Sequence, residues 1–202
     1  PASLTVTGVE DLPETLKFDG PYAVKVVSPD ILHKSDIGGV AIGVEGRAGL
    51  VDALSRIAGA VADNAPSATI AGYLIQKMEK GLAEAIVGLS RDPIAGAMIT
   101  VGAGGVMTEI YQDVTSRPAP VSMETAREML TEVKSFALLR GFRGAAPGDL
   151  EALAVTVMQV SRLAMNNRVA EAEINPVLVR GQGEGVIALD ALVTLTEDAT
   201  TP

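Results

Sequence analysis

The chain carries a single histidine, and the residues around it are of the kind that handle phosphate. His33 is followed by Lys34, Ser35 and Asp36 in a polar run that begins at Ser28-Pro29 and closes on Gly38-Gly39. Lysines can hold an anion, glycines let backbone N–H groups approach it, and an imidazole can act as nucleophile. Lys25 lies just before this run, inside an apolar stretch, where its ammonium needs a polar destination rather than a core. The same spacing also suits a histidine that simply sits solvated on a surface loop.

A second cluster lies near the C-terminus. Glu171, Glu173 and Asn175 are spaced by two, so in a strand all three project from one sheet face. If Gln182-Gly183 form a two-residue turn, Asn175 falls directly opposite Asp190 on that face. Two side-chain oxygens on Cβ atoms about 5 Å apart can share a hard cation, and Mg²⁺ favours one or two protein oxygens completed by phosphates and water. Acids alone would suit an ordinary polar sheet face equally well. Asn-Pro within a strand is less ordinary, because Pro176 has no N–H for a ladder and must make the strand locally irregular.

These side chains need elements to hold them. Leu4–Thr7 is a short strand candidate, followed by a weak helix broken by Pro13. Tyr22–Val27 and Val40–Val44 read as strands flanking the His33 loop. Arg47–Asp63 places Leu50, Leu54, Ile57, Ala58 and Val61 at helical spacing, ending at Asn64-Ala65-Pro66. Gly72–Met78, Ala83–Leu89 and Ala97–Val101 suggest an antiparallel meander with turns at 79–81 and 90–93. Gly102–Gly105 is neither GxGxxG nor a Walker A pattern, and a glycine-rich turn is its default meaning. Ser122 begins a helix over Met123–Val133, and Asp149 is placed to cap another running from Leu150 to about Met165. LLRGFRG (138–144) reads as a loop whose arginines and glycines suit an anion or a partner domain, or equally as a solvated connector. Two strand runs, 170–180 and 185–195, complete the chain, and the tail after Leu195 carries no element signal.

Composition narrows the classes. At 202 residues the chain is long enough for one compact domain or two small lobes. With 48% hydrophobic and only 3% aromatic residues, the core must be aliphatic. A net charge of −9 disfavours a nucleic-acid surface, though Mg²⁺ and a few lysines can neutralise a nucleotide locally. The absence of cysteine excludes disulfides, thiolate chemistry and Cys-type zinc. No run of about 18 apolar residues exists to span a membrane, and no signal peptide is visible, so the cytoplasm is the expected location.

KVVSPDILHKSDIGGV resembles the swinging-loop motif in the nucleotide-binding part of ADP-forming acyl-CoA synthetases, an ATP-grasp family related to the succinyl-CoA synthetase β subunit. The similarity continues through LIQKMEKGLAEAIVGLSRDP, TVGAGGVMTEIYQDVTSRPAP, LLRGFRG and EINPVLV, and so covers nearly the whole chain. It implies an α+β ATP-grasp fold of two lobes closing over a nucleotide. Residues 1–71 would form the small lobe with the phosphohistidine loop. Residues 72–202 would form the large lobe, with a hinge near 72–78 and the metal-binding hairpin. The family has a further helix ahead of residue 1, so the first lobe is expected to be truncated.

The resemblance also assigns roles. His33 would take a phosphoryl group from a distant histidine on a CoA-binding domain and pass it to ADP. Lys25 would bind phosphate, with Ser28, Gly38 and Gly39 around it. Gln76, Lys77 and Met78 would meet adenine through the main chain, although family members often carry an acid where Gln76 stands. Glu84 would meet the ribose hydroxyls, or else face solvent. The glycine segment 102–105 would lie near the phosphate tail, with Asp113 and Arg117 facing the same cleft. Asn175 and Asp190 would hold Mg²⁺, with Glu173 as an outer or competing group. ATP or ADP would be bound, a CoA-binding domain or α subunit would be the partner, and the full enzyme would be an oligomer. This part alone would not complete the reaction. The alternative is a ligand-sensing, synthetase-like regulatory domain of a protein acetyltransferase.

Overall fold

A computed structural model of the chain describes residues 1–31, 33–104 and 113–196. It contains two compact units, Pro1–Glu79 and Lys80–Pro202. In the first, strands β1 (Ser3–Val6), β2 (Tyr22–Val27), β3 (Val40–Val44) and β4 (Gly72–Lys77) form an antiparallel sheet in the order β1-β4-β2-β3. Helix α1 (Gly46–Asn64) covers one face. The period-two pattern of β2 sends Val24 and Val26 into that face, where they join Leu50, Leu54, Ile57 and Val61 of α1. No side chain caps the N-terminus of α1. Its stability therefore rests on burial, worth about 1.5–3 kcal/mol for each fully buried Leu, Ile or Val.

Strand β4 departs from the expected meander. It pairs with β1 and β2, with Ile75 opposite both Leu4 and Val24, and it belongs to the first unit. A boundary drawn between residues 71 and 72 therefore cuts through the first sheet. Ile75 is wholly buried in the α1 core, and that core, not proximity in sequence, selects the strand's partners.

The second unit contains β5 (Ala83–Asp92), β6 (Gly96–Ala103), β7 (Val114–Pro118), β8 (Val169–Val179), β9 (Val186–Ala188) and β10 (Ala191–Leu195). Their order is β10-β8-β5-β6-β7, with β9 also on β8. Helices α2 (Met123–Glu132) and α3 (Leu150–Ser161) supply Met129, Leu153 and Val157 to a core shared with Val87, Leu89, Ile99 and Val101 of the sheet. Both caps form as the residue types predict: Ser122 Oγ accepts from Thr125 N, and Asp149 Oδ1 accepts from Ala152 N at 3.0 Å. The last turn expected of α3 tightens into a 3₁₀ turn, Arg162–Met165. LLRGFRG stays mostly exposed. Leu139, with Phe136 just ahead of it, enters the core from a 3₁₀ turn over Lys134–Arg140, and a second 3₁₀ turn, Phe142–Gly144, follows. Arg91 ties β5 to the strand beyond α3, donating to the carbonyls of Ala164, Asn166 and Val169. Among the described residues no helix is long and apolar enough to cross a membrane.

Asp149 does more than cap. Its Oδ2 accepts from Gly183 N at 3.1 Å and Gly185 N at 2.8 Å, fastening the β8–β9 turn to the start of α3. The backbone N–H groups of Ala152, Gly185 and Gly183 outweigh burial and hold its carboxyl below the ordinary carboxylate value. This stabilisation is complete above the unfolded value, about 3.9, and is lost as pH falls through the lower folded value. Asp149→Ala is expected to destabilise the protein by about 2 kcal/mol, as cap loss with orphaned N–H groups does. Urea denaturation at neutral pH measures that loss, and the gap between variant and parent should narrow as the solution is acidified below pH 4.

Candidate active site

His33 stands exposed at the start of a tight turn. Gly39 N donates to Lys34 O at 2.7 Å and Gly38 N to Ser35 O at 3.2 Å, while Val26 N reaches back to Gly39 O at 2.8 Å. Both glycines are required. A Cβ on Gly39 would lie 2.7 Å from Val26 Cγ1 and 2.8 Å from Lys34 O, and Gly38 has φ +74° with Ala60 close by. The turn is anchored to the rest of its unit. Ile31 is buried in the first core with Ile37 packed against it, Asp30 Oδ2 accepts from Thr69 N, and Asn64 Nδ2 donates to Ile37 O. Ser28 Oγ accepts from Asp30 N, making a local turn at the segment's entry.

Lys25 alternates with Val24 and Val26, so it projects from the face of the first sheet opposite α1. Leu74 and Val40 flank it in the register. Gln76 lies on the same face two residues along β4, opposite Ala23 and Ser3, and is buried. Lys25 and Gln76 are thus brought onto one surface. The adjoining N–H groups are committed within the unit: Lys77 N donates to Ala2 O and Met78 N to Pro21 O. Met78 Sδ accepts from Gly43 N at 3.1 Å.

In the second unit α2 and α3 cover one sheet face, and Glu84, Ile86, Gly88 and Ser90 of β5 lie on the other. Gly88 pairs with Glu173, and Glu173 with Leu192, which places β8's glutamates on this open face. A depression of about 220 Å³ over Gly88 is lined by Ile86, Ser90, Thr100, Glu171 and Glu173. The hairpin register is as the sequence predicts: Glu184 N closes on Gly181 O around Gln182-Gly183, Val177 pairs with Ala188, and Ile174 with Ala191. Asn175 N donates to Asp190 O at 3.1 Å, so these residues are opposed. Toward β5, Ala85 pairs with Val177 but Val87 with Ile174, leaving one extra residue in β8 at Asn175-Pro176. Pro176 cannot donate there, and the strand bulges where its ladder bond is missing. Asp190 Oδ1 accepts from Ala191 N. The pair offers an amide and a carboxylate oxygen, and no group of three or more His, Cys, Asp or Glu among the described residues could hold a metal. That donor set fits Mg²⁺, which takes most of its shell from phosphate and water.

The glycine-rich stretch is built for packing in its described part. A Cβ on Gly102 would meet Val114 Cγ1 at 2.4 Å, and one on Gly104 would sit 2.9 Å from the backbone of Glu84 and Ala85. Gly105 lies outside the described residues. Asp113 and Arg117 are both engaged by partners within the second unit. Asp113 accepts from Lys134 N, Ser135 N and Ser135 Oγ; burial raises its carboxyl, but these bonds prevail and hold it low. Arg117 pairs with Glu132. Sequence patterning missed the second hold of Asp149 and the donation of Asn64, because both reach segments distant along the chain.

Known proteins bear on these surfaces. The ATP-grasp domain family matches residues 5–195. The chain is 43% identical over 183 residues to ADP-forming acetate–CoA ligase I of Archaeoglobus fulgidus, covering 90% of this chain and 26% of that protein. It is 37% identical over 190 residues to the β subunit of ADP-forming acetate–CoA ligase II of Pyrococcus furiosus, covering 91% of this chain and 80% of that subunit. It therefore spans about a quarter of one relative and four fifths of the other. Among solved structures it resembles the dinucleotide-forming acetyl-coenzyme A synthetase 1 of Ca. Korarchaeum cryptofilum in complex with coenzyme A and Ca-AMPCP, with TM-score 0.80 and 38% identity over 87% of this chain and 76% of that one. The same protein with Mg-AMPPCP has its phosphohistidine segment pointing towards the nucleotide binding site (TM-score 0.72, 34% identity, 88% and 78% covered). With acetyl-coenzyme A and a phosphorylated segment it is in a site I orientation (TM-score 0.80, 32% identity, 96% and 85% covered).

Gly104 offers a test of how tightly the open face is built. Gly104→Ala forces a methyl group against strand backbone that has no rotamer to yield, which is expected to cost about 1–3 kcal/mol. A fall in the thermal midpoint checks this, whereas Gly96→Ala, with open space around it, reports only the cost of the backbone conformation.

Proposed function

Because the chain belongs to the ATP-grasp family, among the ADP-forming acyl-CoA ligases, we propose that it is the nucleotide-handling part of such a ligase. It transfers a phosphoryl group between His33 and ADP, in a reaction that couples acyl-CoA, ADP and phosphate to acid, CoA and ATP. The observation that carries this reading is His33 itself: the sole histidine, exposed on a glycine-closed turn, in a chain similar to an enzyme with a phosphohistidine segment. The relatives described are ligases, so the regulatory alternative has no support.

In the ATP-forming direction, a β-phosphate oxygen of ADP attacks the phosphorus on His33. The N–P bond breaks as the new O–P bond forms, and the imidazole nitrogen recovers its lone pair. In reverse, that nitrogen attacks the γ-phosphorus of ATP and ADP leaves. Little covalent chemistry falls to other residues, so positioning and charge dominate. Lys25 holds a phosphate of the nucleotide. Ser28, Gly38 and Gly39 shape the turn from which His33 projects. Gln76, Lys77 and Met78 take the role of meeting the base through the main chain, and Glu84 that of meeting the ribose. Asn175 and Asp190 hold Mg²⁺, with Glu173 nearby; the ion supplies charge neutralisation to the phosphates when bound. A CoA-binding subunit or domain supplies the other half of the reaction, as expected of a chain similar to a subunit called β.

Three variants test these roles. His33→Ala should abolish acyl-CoA-linked ATP formation in the complete enzyme while sparing Mg-ADP binding, and full activity would refute the nucleophile. Asp190→Asn should weaken Mg-ADP binding in calorimetry without unfolding the protein; unchanged affinity would remove the metal assignment. Lys25→Met retains most of the stem's packing. It should lose about 1.5–3 kcal/mol of Mg-ADP binding, the worth of a hydrogen bond to a charged group, with little change in thermal midpoint.

A further inference from the structure

The His33 turn is held from both sides by one stretch of chain, the connection from the end of α1 to β4. On the entry side Asp30 Oδ2 accepts from Thr69 N at 2.8 Å, and Ala71 N donates to Val27 O at 2.8 Å. On the exit side Asn64 Nδ2 donates to Ile37 O at 3.3 Å and to Ala60 O at 3.0 Å, and Gly38 lies against Ala60. The side-chain bonds on the two sides differ in strength. The entry bond is short and charge-assisted, whereas the bond from Asn64 to Ile37 is neutral and long, and so is the weaker of the two.

We propose that Asn64 is a positioning residue, a releasable latch that keeps the His33 turn docked on the end of α1. The Asp30–Thr69 bond then acts as the pivot that stays closed. The proposal rests on the reading of His33 as the phosphoryl carrier, whose counterpart segment in a similar enzyme takes different orientations. A segment that must leave and return needs one firm attachment and one weak one. The latch works through the Ile37 carbonyl, four residues beyond His33, and touches no reacting atom. Asn64 is well placed because its amide bridges two carbonyls, one of α1 and one of the turn. It can release Ile37 while still closing the helix through Ala60.

Limited tryptic digestion of the intact protein reads the latch directly, since Lys34 lies inside the turn and its carbonyl is bonded to Gly39. Asn64→Ala should speed cleavage after Lys34 by about two- to tenfold, the worth of one neutral hydrogen bond, with cleavage after Arg56 in α1 unchanged. Gly38→Ala, which crowds Ala60 without removing the amide, should accelerate the same cut. In the complete enzyme Asn64→Ala should change kcat while leaving the KM for Mg-ADP in place, because the nucleotide-holding residues are untouched. An unchanged rate at Lys34, or a parallel rise at Arg56, would overturn the latch. Failure of the parent enzyme to form an acid-labile phosphate on His33 would instead overturn the carrier reading, and the digestion would still decide whether Asn64 holds the turn.

Discussion

Asp149 is the point on which the second unit depends. One oxygen closes the first turn of α3 through Ala152, and the other binds the N–H groups of Gly183 and Gly185. A buried carboxylate is tolerated only when its charge is met by donors, and three backbone N–H groups meet this one. The turn so fixed sets the pairing of β8 with β9. A slip of one residue there would move every β8 side chain to the opposite face. The opposition of Asn175 and Asp190 thus depends on a helix cap at the other end of the strand.

Each unit uses its sheet asymmetrically. Helices bury one face with aliphatic side chains, and the other is left to residues that would be costly in a core. In the first unit that face holds Lys25 and Gln76; in the second it holds Glu84, Glu173 and Asn175. The second sheet adds a local fault, the extra residue at Asn175-Pro176, where lost pairing with β5 redirects the strand beside its polar groups. Bulges recur next to functional sites because they re-aim a side chain without disturbing the core behind it.

The His33 turn follows a different rule. Its ends are anchored in the core by Ile31 and Ile37, its middle is polar and exposed, and its curvature needs glycine at 38 and 39 for separate reasons, one conformational and one steric. Backbone bonds within the turn preserve its shape, so His33 stands on a compact hook rather than a slack loop. Such a hook limits the conformational entropy lost in placing the side chain.

Much of this was legible from local pattern. Tyr22–Val27 and Val40–Val44 are strands with the bounds their alternation indicates. Ser122 and Asp149 cap as their types suggest, and the hairpin register followed from a two-residue turn and the period of a strand. These features depend on residues a few positions apart, where steric and hydrogen-bonding preferences act directly. Tertiary structure decided the rest. β4 joined β1 and β2 rather than β5 because Ile75 completes the core against α1, and no local preference encodes that choice. Asp113 and Arg117 were drawn to Ser135 and Glu132, and the N–H groups of Lys77 and Met78 to Ala2 and Pro21. The donors and carbonyls that meet Asn64, Arg91 and the second oxygen of Asp149 are distant in sequence. A side chain's type states what it can bond, but only the packed chain determines which partner comes within 3 Å.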